Sequence, residues 1–181
     1  MRADAARNLA VVLRTGARLL AEDPSTSMSA IAGAAGVDRT TVHRRFATRE
    51  ALLSAVFQAK LDSAERVLDE ARLMEAPVAV ALHRYVEGII PVSREWPVDT
   101  RRMMQGDPEA NSRRQKQSQR LDDFLRRAAD EGFLRPGVSL AWVRAVLDQL
   151  VDSAGHQFPE VEPPRAADLV VDTFLSGVGS S

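Results

Sequence analysis

The chain has 181 residues, of which 45% are hydrophobic, and its 24 Lys and Arg nearly balance its 25 Asp and Glu. This composition is ordinary for a globular protein and suffices for one domain or two small ones. There is no cysteine, which excludes disulfides and thiolate metal sites and favours a reducing cytoplasm. No long uncharged apolar run is present, so we expect no transmembrane helix. Arginines interrupt the N-terminal apolar residues, so we expect no signal peptide.

The net charge of −1 hides an asymmetry along the chain. Residues 1–50 carry eight Arg against five acidic residues, whereas residues 51–181 carry 16 basic and 20 acidic residues. A basic N-terminal part and an acidic remainder are typical of a protein that touches nucleic-acid phosphates at one end.

In chain order, residues 4–22 form the first predicted helix, because their apolar residues recur at three- and four-residue steps. A short second helix is predicted over residues 28–35, with Ser27 as its N-cap. Gly36 follows where a left-handed residue is wanted, a conformation that glycine adopts at little steric cost. A further helix begins directly after this turn, and this order is the layout of a helix-turn-helix DNA-binding unit.

That further helix, residues 39–46, is short and polar, and Asp38 is its predicted N-cap. Only Val42 and Phe46 lie on its buried side, at a four-residue step. Its other face carries Arg39, Thr40, His43 and Arg44, with Arg45 beside them. A purely structural helix does not need such a face, whereas a helix in the DNA major groove meets hydrogen-bond acceptors on base edges and phosphates.

The rest of the chain also has helical periodicity, so we predict an all-α fold with about nine helices. The later helices are predicted over residues 49–72, 77–90, near 98–105, 108–131, 139–156 and 164–177. Pro91 and Pro97 are expected to break the chain, since proline cannot donate to a helical ladder. No stretch alternates apolar and polar residues over a strand length, so we expect no sheet. The small-residue tail, residues 177–181, is expected to fray.

The stretch from Ser27 to Leu52 resembles the TetR family of bacterial transcription regulators. The family pattern appears here as Ile31-Ala32, Ala35-Gly36-Val37, Asp38, Thr41-Val42, His43 and Phe46-Ala47-Thr48-Arg49-Glu50-Ala51-Leu52. His43 stands where the family usually has Tyr, Arg49 where it usually has Lys, and Pro24 where Gly often ends the first helix. The resemblance implies a helix-turn-helix head over residues 1–50 and an effector-binding and dimerisation body over residues 51–181.

The resemblance also implies residue roles in the head. The residues expected to face DNA bases are Arg39, Thr40, His43 and Arg44. Those expected to contact phosphates are Ser27, Thr41, Arg45 and Arg49. An Arg in this position can make bidentate bonds to guanine. For Arg45, an ion pair with an acidic residue of the head is the alternative.

In the body, the family resemblance implies an effector pocket and a dimer interface. The candidate pocket residues are Tyr85, Trp96, Met103, Phe124, Trp142 and Gln149. In the family the two C-terminal helices of each subunit usually pair into a four-helix bundle, which implies an interface at Val143, Leu147, Leu150, Val171 and Phe174. For both sets the alternative is packing in the core of the monomer. A dimer is physically reasonable because one short recognition helix offers few base contacts, whereas two heads read a palindrome.

The resulting hypothesis is a cytoplasmic homodimer that regulates transcription, most simply a repressor that leaves a palindromic double-stranded DNA operator when a small molecule binds the body. No enzyme activity, cofactor or metal is expected. The chain has no Gly-rich phosphate loop, no metal-spaced cluster of ligands and no convincing nucleophile–base pair. The alternative is a helical small-molecule-binding or protein-interaction module with a degenerate helix-turn-helix. The intact basic face of residues 39–46 favours the DNA reader.

Overall fold

A computed structural model describes residues 2–98 and 107–180, with side chains from residue 6 onward. This part of the chain contains eight α-helices: α1 Arg2–Glu22, α2 Met28–Ala34, α3 Arg39–Arg45, α4 Arg49–Ala71, α5 Val78–Glu95, α6 Pro108–Asp130, α7 Leu140–His156 and α8 Pro163–Val178. Its strand-like pairing is limited to an isolated antiparallel bridge between Leu134 and Gly179. The all-α prediction is therefore confirmed. The ninth predicted helix, near residues 98–105, lies almost wholly outside the described residues.

The chain divides into two compact units. The first unit comprises Met1–Asp62 and Glu95–Ser112, and the second comprises Ser63–Arg94 and Arg113–Ser181. The division therefore falls inside α4, and the predicted domain boundary at residue 50 stays a prediction. None of the helices described here is long and apolar enough to cross a membrane.

Hydrogen bonds explain why residues from the middle of the chain belong to the first unit. The Lys60 ammonium on α4 donates to the backbone carbonyl of Val98 at 2.8 Å. One turn and a half earlier on α4, the Ser54 hydroxyl donates to the Asp107 carboxylate at 2.9 Å. Asp107 also accepts the backbone N–H of Ala110, so it caps α6 while it is tied to α4.

The helix-turn-helix segment folds as its caps predict. The Ser27 hydroxyl accepts the backbone N–H of Ala30 at 3.1 Å at the start of α2. Gly36 has φ +64° in the turn that leads to α3. Thr48 accepts the backbone N–H of Ala51 at 3.1 Å and begins α4. The four helices enclose one apolar core, formed by Val12, Leu20, Met28, Ile31, Ala32, Val42, Phe46 and Leu52.

The prediction that Pro91 breaks the chain is wrong, because α5 continues through it to Glu95. Proline removes one helical hydrogen bond, but tertiary contacts hold the last turn of this helix. Ile90 and Val92 on either side are buried. The Arg94 guanidinium donates to three backbone carbonyls of the second unit, those of Ala154, Phe158 and Val161, at 2.8–3.2 Å. Pro97 does follow the end of the helix, as predicted.

The prediction that residues 177–181 fray is also wrong for the residues described there. Helix α8 continues to Val178, whose carbonyl accepts the backbone N–H of Arg135 at 3.0 Å. The backbone N–H of Ser180 donates to the carbonyl of Phe133 at 3.1 Å, and its hydroxyl donates to Gly132. The connector between α6 and α7 therefore satisfies the polar groups of this tail, which composition alone does not reveal.

Candidate nucleic-acid interface

Helix α3 turns one face to the core and the other to solvent. Val42 and Phe46 are buried, as their four-residue spacing predicts. The remaining side chains, Arg39, Thr40, Thr41, His43, Arg44 and Arg45, are all exposed. The helix has seven residues, or about two turns, so these side chains share one small surface. We call this surface the α3 face.

The arginines of the α3 face have no ion-pair partner among the described side chains. Within residues 6–98 and 107–180, no carboxylate forms an ion pair with Arg39, Arg44 or Arg45. The alternative that Arg45 pairs with an acid of the head therefore finds no support there. Many arginines elsewhere are paired with carboxylates, namely Arg14, Arg18, Arg72, Arg113, Arg120, Arg126, Arg127 and Arg144. Three unneutralised guanidinium groups on one short helix are typical of a phosphate-binding surface.

The N-cap of α3 also shapes what this face offers to a ligand. The Asp38 carboxylate accepts both the hydroxyl of Thr40 and, at 2.7 Å, its backbone N–H. These bonds hold the pKa of Asp38 below its ordinary value, so the cap stays charged. Because the Thr40 hydroxyl hydrogen is used internally, this hydroxyl remains available to a ligand only as a hydrogen-bond acceptor.

The four residues predicted to contact phosphates differ in exposure and in the hydrogen bonds that they make inside the head. Ser27 is exposed, and its oxygen accepts the helix N–H, so its hydroxyl hydrogen remains to be donated. Thr41 and Arg45 are exposed on the α3 face. Arg49 is half-buried, and its guanidinium Nη2 donates to the backbone carbonyl of Pro24. Contact of these residues with DNA stays a prediction.

The predicted effector residues are distributed over several environments. Tyr85 on α5 and Phe124 on α6 are buried in the second unit. Trp142 and Gln149 lie on the exposed surface of α7, with Trp142 63% exposed. Trp96 is buried in the first unit, and Met103 lies outside the described residues. Their role in a pocket stays a prediction.

Sequence reasoning missed a charged cluster beside Tyr85. Arg144 on α7 is bonded through Nε to both carboxylate oxygens of Asp148, at 3.0 Å each, and through Nη1 to Asp122 of α6 at 2.7 Å. Burial alone would lower the pKa of Arg144, but these carboxylates raise it above its ordinary value. Burial, with a smaller contribution from Asp148, raises the pKa of Tyr85 well above its ordinary value. The four-residue spacing of Arg144 and Asp148 was a signal for the pair, whereas nothing local points to Asp122.

A cavity of about 870 Å³ opens in the second unit between the C-terminal parts of α4 and α6. Its walls are mostly charged, and Leu68 and Leu73 form a buried apolar part. The five predicted effector residues that the structure describes are not among those that line it. Its charged side chains include Asp69, Arg72, Arg120, Asp123, Arg126 and Arg127.

The predicted dimer residues are mostly covered by their own chain. Val143, Leu147 and Phe174 are buried almost completely, Val171 is buried, and Leu150 is half-buried. The first four therefore have almost no surface to offer to a second subunit. The apolar surface of α7, α8 and the turn between them is formed instead by Trp142, Phe158 (52% exposed) and Leu169 (48% exposed). A small groove of about 210 Å³, lined mainly by apolar residues, includes Leu150, Phe158 and Leu169.

Comparison with known proteins gives matches over the head and over nearly the whole chain. Residues 12–56 match the sequence profile described as bacterial regulatory proteins, tetR family. Over 175 residues the chain is 29% identical to the HTH-type transcriptional repressor LfrR of Mycolicibacterium smegmatis. This alignment covers 95% of the chain and 90% of that repressor.

Solved structures agree with this similarity. The TetR-like regulator LfrR from Mycobacterium smegmatis, crystallised in complex with proflavine, superimposes with a TM-score of 0.70 at 25% identity, covering 97% of this chain and 99% of that one. The ketosteroid transcriptional regulator KstR2 of Mycobacterium tuberculosis superimposes with a TM-score of 0.77 and covers 94% of both chains. At 18% identity, the second likeness shows the fold alone.

Proposed function

Because this chain belongs to the TetR family of bacterial helix-turn-helix transcription regulators, we propose that it represses transcription by binding a palindromic operator as a homodimer. The observation that carries this proposal is the α3 face, with three exposed arginines that no described carboxylate neutralises. A surface helix without a ligand would be expected to pair such charges, as many other arginines of the chain are paired. Phosphates and base edges supply the missing acceptors.

In this proposal α3 lies in the major groove and α2 crosses the phosphate backbone. Arg39, Thr40, His43 and Arg44 then face the bases, where a bidentate Arg–guanine pair contributes about 1–3 kcal/mol of discrimination. Ser27, Thr41 and Arg45 contact phosphates at the edge of the groove, which sets the register of the head on the duplex.

Dimerisation is proposed through the exposed apolar surface of α7 and α8. Apolar area is exposed at Trp142, Phe158 and Leu169. Burying this area against a second subunit would stabilise the dimer. A two-fold axis through this surface pairs each patch with its own copy and presents two α3 faces. The buried neighbours Val143 and Leu147 then support the interface from beneath. The dimer reads two half-sites separated by about one helical turn of DNA, or about 34 Å.

The remaining part of the proposal is release of the operator when a small molecule binds. We place the binding site of this molecule in the body (residues 51–181). The relative LfrR was crystallised with proflavine, so a small organic molecule is a reasonable effector class here. Tyr85 and Phe124 are the predicted pocket residues in the second unit. The effector would favour a body geometry in which two heads no longer fit successive major grooves. Helix α4 belongs to both units of the chain and is the proposed lever.

The test is selection of random duplex DNA by the purified protein, followed by titration of the recovered sequences against salt. We expect a palindrome, bound with a logarithmic salt slope of about −0.9 for each neutralised phosphate. A protein-interaction module with a degenerate helix-turn-helix would recover no sequence and would lack this slope. The recovered operator then serves to screen for molecules that release it. The same protein bound with effector should stay folded and dimeric.

A further inference from the structure

Two positions at which the head departs from the TetR pattern contact each other. Pro24 stands where Gly often ends the first helix, and Arg49 stands where Lys is usual. In the structure, Nη2 of the Arg49 guanidinium donates to the backbone carbonyl oxygen of Pro24 across 25 residues of sequence. The bond ties the turn at Pro24 to the first residue of α4, so the role of Arg49 has to be considered together with this turn.

The turn that contains Pro24 is built from short-range hydrogen bonds. The Asp23 backbone N–H ends α1 by donating to the Leu19 carbonyl at 2.8 Å. The Asp23 carboxylate accepts the backbone N–H of Ser25 at 2.8 Å and its hydroxyl at 2.7 Å. The hydroxyl of Thr26 donates back to the Asp23 carbonyl at 2.8 Å. These bonds shape the turn itself, whereas Arg49 ties the turn to the first residue of α4.

The positive charge of Arg49 interacts with the Asp23 carboxylate of the head. The pKa of Asp23 is held below its ordinary value mainly by the hydrogen bonds from Ser25, and the positive charge of Arg49 adds to that lowering. An arginine can do both at once because its planar fork directs several N–H groups in fixed, different directions. A lysine ammonium is a point charge on a flexible stem, which makes it better suited to a phosphate than to this turn.

We infer that Arg49 is a positioning residue for DNA reading and not a phosphate contact. Its bond to Pro24 closes a loop of chain that contains all of α2 and α3. The start of α4 and the turn before α2 are thereby held together, and this fixes the orientation in which the α3 face meets the duplex. The inference rests on the proposed DNA binding.

The test compares Arg49→Gln with Arg45→Gln, which removes the same charge from a side chain that has no described partner. Affinity is measured for the selected operator and for a non-specific duplex of equal length, over a series of salt concentrations. The temperature is one at which circular dichroism shows each variant fully folded. A role in stability alone would then alter neither affinity.

For Arg49→Gln we expect operator affinity to fall about tenfold, with non-specific affinity and salt slope unchanged, because the phosphate contacts remain and only their alignment with the bases is lost. For Arg45→Gln we expect both affinities to fall and the slope to decrease by about 0.9 per subunit. Arg49→Lys keeps the charge without the fork, and should resemble Arg49→Gln.

Three results would overturn the inference. One is a loss of salt slope in Arg49→Gln equal to that in Arg45→Gln, which would make Arg49 a phosphate contact. The second is wild-type operator affinity in Arg49→Lys, which would show that charge alone matters. The third is unchanged operator affinity in Arg49→Gln. Failure of the proposed function itself is distinguishable, since the unaltered protein would then select no sequence and would not bind one duplex more tightly than another.

Discussion

Replacing Arg44 by Gln should weaken operator binding strongly while the fold stays intact. Arg44 is exposed on the α3 face and has no partner among the residues that the structure describes. Its removal therefore breaks no internal ion pair and leaves no buried group unsatisfied. Any loss of affinity can accordingly be assigned to the contact with DNA, and the thermal unfolding midpoint should not change.

The magnitude follows from the two-fold symmetry of the proposed dimer. A bidentate contact between Arg and guanine contributes about 1–3 kcal/mol, and a two-fold dimer presents α3 twice. The expected loss is therefore about 2–6 kcal/mol, or about 30-fold to about 10⁴-fold in Kd. Because Gln can still make one hydrogen bond, the lower end of this range is the expected outcome. The salt slope should stay unchanged, since a base contact neutralises no phosphate.

The assay is fluorescence anisotropy of a labelled operator, with competition by duplexes altered at single positions. Arg126→Gln is the matched control, because it removes an exposed guanidinium from α6 that pairs with Asp123 at 2.6 Å. This control should change operator affinity less than about twofold, because Arg126 belongs to the second unit and the proposal gives it no phosphate contact. An Arg44→Gln variant that binds within about threefold of the unaltered protein would refute the assignment of Arg44 to a base. An equal loss of affinity for every duplex sequence would refute it as well, because a base contact discriminates between sequences.

Three further predictions concern the second unit. Trp142→Lys should produce a monomer in sedimentation velocity. Met74→Lys is the control, because Met74 is an apolar residue of similar exposure on the turn after α4, and it should leave the dimer intact. Monomers in both variants or in neither would contradict the proposed interface. Tyr85 ionises above about pH 10 in the unfolded chain but resists ionisation when buried, so stability should fall as pH rises beyond that value. Urea unfolding of Tyr85→Phe should show a smaller fall, and an equal fall would exclude Tyr85 as its source. Gly88→Ala places a Cβ 2.8 Å from a methyl of Val67 and should cost about 1–3 kcal/mol by thermal unfolding, with recovery in a double variant that also carries Val67→Ala.

The head was predictable from sequence because its signals are local. Ser27, Asp38 and Thr48 each cap a helix through a bond to a backbone N–H two or three residues ahead. The spacing of Val42 and Phe46 likewise determines which side of α3 is buried. Such interactions depend on residues that are neighbours in the chain, so a pattern within a short window is enough to reveal them.

The course of the chain elsewhere depended on contacts that no short window contains. Pro91 lies inside α5 because its flanking residues are buried and Arg94 is bonded to distant carbonyls. The tail at Ser180 is held by the connector near Phe133, 47 residues earlier. A local rule gives the cost of a proline or of a small-residue tail, but the compensating bonds come from tertiary structure.

What the sequence determined by itself is therefore the order of the helices, the two-sided α3 and the charge on its outer face. Only the tertiary structure decided which apolar side chains are covered. Trp142 and Val143 are neighbours on α7, yet one is exposed and the other is buried. The same holds for Arg49, whose bond to Pro24 joins two departures from the family pattern that lie 25 residues apart. Hydrophobic spacing identifies an apolar face, but which surface covers it is decided by the packing of helices distant in the chain.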